Sequence, residues 1–219
     1  MVNIRLKADE IEHAFQSWIS SLVKVTGCDV IAIDGKTARR SFTTKDRKNA
    51  LHTSSAWSCQ HQLVLGQTAV SEKSNEITTI PELLSMLDIE NSIITLDAMG
   101  CQRAIAEQII KQKADYVLAL KGNHSGMQAE LEAWWHKSQR EGLSESTFEK
   151  HTEISTGHGR IETRTCHQLL VDKSWLAKVY QWTGLKSIIK INAQVYDKST
   201  GKDTEETRWF ISSLGLNAE

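Results

Sequence analysis

Between residues 76 and 120 the chain alternates helix, strand, helix, strand, and this constrains the fold more than any other feature. Strands separated by helices pair in parallel through crossover connections, because a tight turn cannot return a strand in the same direction. The run Ser92-Ile93-Ile94-Thr95-Leu96 reads as a buried strand ending at Asp97, and a helix over 102–113 leads to a strand over Asp115–Leu120. Pro81, the only proline, is placed in the first turn of a helix running to about Leu87, where its missing N–H is tolerated. Upstream, Asp29-Val30-Ile31-Ala32-Ile33-Asp34 reads as a strand over 29–34. Strands over about 51–59 and 62–70 flank the turn Cys59-Gln60-His61 as a hairpin. An amphipathic helix over 9–24 comes first, with Ile11, Phe15, Trp18, Ile19 and Leu22 at near-helical spacing.

Three strands with antiparallel connections, then helix-strand-helix-strand, is the element order of an RNase-H-like core. In that fold the first and fourth strands lie side by side. The expected class is therefore α/β, an RNase-H-like mixed sheet with flanking helices and a β-rich insertion. A length of 219 residues, 40% of them hydrophobic, supports one substantial core with room for a smaller subdomain. The expected organisation is a helical lead-in over 1–28, the core over 29–143, and a β-rich insertion with following strands over 144–219. The last part includes a hairpin turn at Asp197–Lys202 between strands over 186–196 and 206–213. No apolar stretch is long enough to span a membrane, and Met1-Val2-Asn3-Ile4-Arg5 lacks the apolar segment of a secretory signal. The four cysteines, Cys28, Cys59, Cys101 and Cys166, are scattered and read as reduced thiols of a cytosolic protein.

Asp34 and Asp97 each follow a β-branched run and precede Gly or Ala. If their strands are neighbours, two hard carboxylate ligands meet over one or two divalent cations, Mg²⁺ or Mn²⁺, the layout of metal-dependent phosphodiester chemistry. As an alternative, each is a helix cap or turn residue. A net charge of −1 argues against a dedicated DNA-binding surface. Yet Lys36, Arg39, Arg40, Lys45, Arg47 and Lys48 face only Asp46 in a loop just after Asp34, which reads either as a contact to a phosphate backbone or as an ordinary solvated loop. Lys121-Gly122-Asn123-His124 precedes a helix over about 125–139 and reads either as a phosphate contact near a helix N-terminus or as a plain turn. Arg160, Glu162 and Arg164 fall on one strand face, fitting a backbone-contacting surface or a salt-bridged one. His151, His158 and His167 read as polar surface, and one of Trp134 and Trp135 as core.

Four segments carry a family resemblance: Ile33-Asp34-Gly35-Lys36-Thr37, Leu96-Asp97-Ala98-Met99-Gly100-Cys101-Gln102, Ala119-Leu120-Lys121-Gly122-Asn123 and Gly157-His158-Gly159-Arg160-Ile161-Glu162-Thr163-Arg164. In order and over about residues 10–215 they resemble the H-repeat-associated transposases, bacterial insertion-sequence proteins of the DDE superfamily. The resemblance implies that Asp34 and Asp97 are the first two metal-binding acids, that the partner is double-stranded DNA at insertion-sequence ends, and that copies assemble on paired ends. It also implies a third acid, a glutamate on a later helix within a His-Trp-x-Ile-Glu-Asn type segment. No such segment follows Arg208-Trp209-Phe210-Ile211-Ser212-Ser213-Leu214. The sequence therefore reads as a truncated copy with weak metal binding and little or no transposition. Alternatives are an active metal nuclease completed by Glu162 or another acid such as Glu107, and a structural protein whose aspartates are idle.

Overall fold

The computed structural model describes residues 29–37, 52–70, 76–142, 147–171 and 181–218, with residues 10, 14, 17 and 18 besides. Those four are helical; the rest of the helix expected over 9–24 lies outside the described residues, as does the basic segment from 38 to 51. The chain forms two compact units, one of residues 1–95 with 112–114 and one of residues 96–111 with 115–219.

In the first unit, β1 (Val30–Thr37), β2 (His52–Ser58) and β3 (Leu63–Val70) form an antiparallel meander. A helix, α1 (Glu76–Ser85), and the short β4 (Ile93–Leu96, its last residue assigned to the second unit) complete it. The strand order is β3-β2-β1-β4, so the first and fourth strands do lie side by side, and the Ile93 N–H donates to Asp29 O at 2.8 Å. Ile31 and Ile33 of β1 are buried with Ala56 and Leu65, and α1 packs on β2 and β3 with Ile80, Leu83 and Leu84 buried. The helix sits close. A Cβ on Gly66 would lie 3.2 Å from Leu87 and 3.3 Å from Leu83, so glycine is what lets α1 approach β3.

Two expectations need correction here. Pro81 is the sixth residue of α1, not in its first turn, because the helix starts at Glu76. Its ring removes one backbone hydrogen bond; the buried row of Ile80, Leu83 and Leu84 compensates. And β1 does not end at Asp34. Gly35, Lys36 and Thr37 go on pairing with Ser54, Thr53 and His52, so the partner strand extends what polar sequence suggested was a loop.

The second unit holds α2 (Arg103–Lys111), β5 (Asp115–Leu120), a 3₁₀ turn at Gly122–His124 and α3 (Ser125–Glu141). Four long strands follow: β6 (Phe148–Gly157), β7 (Arg160–Leu170), β8 (Ser187–Asp197) and β9 (Lys202–Ser212). Their order is β5-β9-β8-β7-β6, every neighbouring pair antiparallel. The β8–β9 turn is held by Asp197, whose Oδ1 accepts from the Ser199 N–H, the Ser199 hydroxyl and the Thr200 N–H. Those bonds, the Ser199 hydroxyl first, hold its carboxyl down at a pKa of about 2. Gln168, buried in β7, donates to Ser187 Oγ and Gly215 O and accepts from the Asn217 N–H, fastening the segment after β9 to the sheet.

Helix α3 buries Met127, Leu131 and Trp135, four residues apart, so Trp135 is the core member of the tryptophan pair. Its ring meets Trp209 (centroids 6.0 Å), His167 (5.3 Å) and Phe148 (6.0 Å). His151 and His158 are exposed as expected, but His167 is half-buried: it stacks on Phe148, and its Nδ1 is buried with no hydrogen-bond partner among the described residues. Desolvation, and then the charges of Lys150 and Lys190, push its pKa below the ordinary 6.5. The unfolded chain thus binds that proton more readily than the folded one. The contribution of His167 to stability is present above about pH 6.5 and is lost as pH falls through the lowered value. Thermal melts between pH 7 and pH 5 should show the wild type losing more stability than His167→Phe; parallel curves would refute this.

Candidate functional site

Asp34 lies on the exposed face of β1, opposite Ser55 of β2. Alternation puts Ile31 and Ile33 inside and Asp34 and Lys36 outside. Lys36 Nζ stands 3.8 Å from Asp34 Oδ2, with both side chains mostly in water, so the pair adds little stability and leaves the carboxylate available. Of the basic cluster, only Lys36 is placed; Arg39, Arg40, Lys45, Arg47 and Lys48 lie outside the described residues.

Asp97 belongs to the second unit, directly after β4, and is exposed. Its Oδ1 accepts from the Met99 N–H at 2.9 Å and the Gly100 N–H at 3.2 Å, an Asx turn leading into α2. The turn reading and the ligand reading are compatible. The backbone uses one carboxylate oxygen and so fixes the plane in which the other is presented. Downstream, Cys101 is fully buried, and burial first, then the Asp97 charge, raises its thiol pKa to about 12. It stays protonated near neutrality and is no nucleophile.

Lys121 is exposed at the end of β5, followed by the 3₁₀ turn and α3. The ring of His124 reaches back from that turn to Cys101 O at 2.7 Å, a contact that sequence reasoning did not find.

The candidate residues of β7 are all engaged in ion pairs. The Arg164 Nε–H donates to Glu162 Oε1 at 2.8 Å, and Arg160 Nε lies 3.6 Å from Asp197 Oδ2. On β9, Arg208 grips Glu206 through Nε and Nη2 at 2.8 and 2.7 Å. These two pairs border a groove of about 510 Å³ floored by Ile191, Ala193 and Phe210. Glu162 thus faces arginine in a groove that also carries Glu205 and Glu206. Glu107 is ion-paired with Lys111 one helical turn on, at 2.7 Å. Among the described residues, no three His, Cys, Asp or Glu side chains gather closely enough to hold a metal ion. Nor is any helix among them long and apolar enough to cross a membrane.

In this α/β chain the exposed Asp34 lies within β1 and the exposed Asp97 directly follows β4. Residues 26–211 match the Transposase DDE domain, and the chain belongs to that family, whose fold is RNase-H-like. It is similar to two proteins of Escherichia coli K12, each called an "H repeat-associated putative transposase": YhhI, 39% identical over 212 residues, and YbfD, 44% identical over 155. The matches cover 96% and 71% of this chain, but only 55% of YhhI and 60% of YbfD, so the chain spans little more than half the length of these relatives. DDE transposases generally use divalent metal ions. Asp34 and Asp97 offer exposed, hard oxygen donors, which is the donor chemistry that suits such ions.

Proposed function

We propose that this chain is the nucleic-acid-processing domain of an H-repeat-type DDE transposase, acting on double-stranded DNA at insertion-sequence ends. Asp34 and Asp97 hold Mg²⁺ or Mn²⁺. One observation carries the reading: β1 and β4 are hydrogen-bonded neighbours, and each run leads to an exposed aspartate. A divalent ion there would polarise a phosphodiester and lower the pKa of an attacking water. The chain's own part is to present the ligands. The β1–β2 ladder fixes the backbone of Asp34, and two N–H groups orient the Asp97 carboxylate. Lys36 and Lys121 supply positive charge toward a DNA backbone. Arg160 and Arg164 belong to the same proposed contact surface, but each already faces a carboxylate and would have to give up that pairing.

The 219-residue polypeptide, in this reading, binds metal and DNA with little strand cleavage. Glu162 supports that, since one of its oxygens is paired with Arg164 and, among the described residues, it joins no group of three metal-ligating side chains. Supercoiled plasmid incubated with the purified chain in Mn²⁺ or Mg²⁺, beside Asp97→Asn, provides the test. The expected result is no nicking by either protein, with Mn²⁺ binding at least about tenfold weaker in Asp97→Asn. Nicking that disappears in the variant would mean that a third ligand is present and that the inactivity is wrong. Equal Mn²⁺ affinity in both proteins would remove the metal reading altogether.

A further inference from the structure

We propose that His124 is the positioning residue for Asp97, a role that rests on Asp97 being a metal ligand. The segment from Asp97 to Gln102 is a series of tight turns. Besides the two N–H groups on Asp97, the Cys101 N–H donates to Ala98 O at 3.3 Å and the Gln102 N–H to Gly100 O at 2.8 Å. Met99, at its tip, is 47% exposed and has little packing to hold it. Contacts from outside the turn add to these bonds in holding its geometry.

Cys101 is gripped from two sides. Its side chain is fully buried, and its carbonyl receives the His124 ring at 2.7 Å. A carbonyl oxygen only accepts, so His124 Nε2 carries the proton and donates it. The ring itself is steadied. Trp182, 3% exposed, meets it edge-on with centroids 5.8 Å apart. The Trp182 segment is anchored in turn, because Thr183 O accepts from the Tyr116 hydroxyl at 3.0 Å. Gly184 (φ +76°) packs so closely that a Cβ would lie 2.7 Å from Ile110. A line of contacts therefore runs from Trp182 through His124 to the Cys101 carbonyl, two peptides beyond the Gly100 N–H that holds the Asp97 carboxylate. If the 101 carbonyl swings free, that N–H loses its aim and the carboxylate rotates.

Mn²⁺ titration followed by electron paramagnetic resonance, on the full chain, reads this without needing cleavage. His124→Ala should weaken Mn²⁺ about tenfold, the usual scale for losing a group that orients a ligand. His124→Gln, whose amide N–H can take the place of Nε2–H, should stay within about twofold of wild type. Asp97→Asn is the reference for the site itself. Folded His124→Ala binding Mn²⁺ like wild type, while Asp97→Asn does not, would overturn the positioning role and leave the metal reading standing. Unchanged binding in Asp97→Asn would sink the metal reading and this inference with it. Should His124→Ala fail to fold, His124→Gln decides: near-wild-type affinity supports the role, and a folded but tenfold weaker protein overturns it.

Discussion

Replacing Trp135 with alanine is expected to destabilise the chain by about 3–5 kcal/mol, the range for removing a large aromatic from a core. For a chain of this size that is a fall of roughly 10 °C in melting temperature. The ring is 2% exposed and touches three other aromatic rings on three strands, so its loss opens a cavity that α3 cannot close without sliding along the sheet. Lys190, with Nζ 5.3 Å from the Trp135 centroid and 5.7 Å from that of Trp209, loses one of its two aromatic faces. Circular dichroism melts of wild type, Trp135→Ala and Trp135→Phe measure this, with Phe expected to lose about half as much. A Trp135→Ala melt within about 3 °C of wild type would mean that the cluster contributes little. A second consequence checks the first. Water admitted beside His167 should relax its lowered pKa, so the variant should lose less stability than wild type between pH 7 and pH 5.

That cluster also marks where reading the sequence stopped. The hairpin of β2 and β3 was legible because two β-rich runs bracket a polar turn. The succession of α1, β4, α2 and β5 was legible because the hydrophobic period changes at each boundary. His167 was misread because its type is polar and its neighbours, Trp135 and Phe148, lie on other elements; stacking leaves no periodic trace in one chain. Pro81 misled for a related reason. A local rule placed it at a helix start, and the apolar row on either side of it overrode that rule. At the candidate site the aspartates themselves could be found, since strand runs point at them. The turn chemistry of Asp97 was at least an open alternative. The bond from His124 to a backbone carbonyl could not be read, because nothing in the identity of Cys101 announces which donor its carbonyl will meet.

Asp29 is the second position where a large effect is expected, and the cause is polar. It opens β1 and is 1% exposed, yet both carboxylate oxygens are satisfied: Oδ2 accepts from the Ser58 hydroxyl at 2.6 Å and Oδ1 from the Gln60 N–H at 3.1 Å. Ser58 Oγ accepts in turn from the His61 N–H at 2.9 Å, so one carboxylate organises the whole β2–β3 turn. Its own backbone carbonyl takes the Ile93 N–H, which joins the start of β1 to the start of β4. Asp29→Ala would strand a buried hydroxyl and a backbone N–H, for an expected loss of about 3–4 kcal/mol. Asp29→Asn keeps an acceptor for Gln60 and can donate to the Ser58 oxygen, so about 1–2 kcal/mol is expected. Urea unfolding distinguishes the two, with the slope unchanged and the midpoint falling in that order. An alanine variant within about 1 kcal/mol of wild type would show that this network adds little. An asparagine variant as damaged as alanine would show that the charge matters and not the pattern of donors. With β1 loosened at its start, Asp34 further along the same strand should also bind Mn²⁺ less tightly in Asp29→Ala than in Asp29→Asn, which links the buried aspartate to the exposed one.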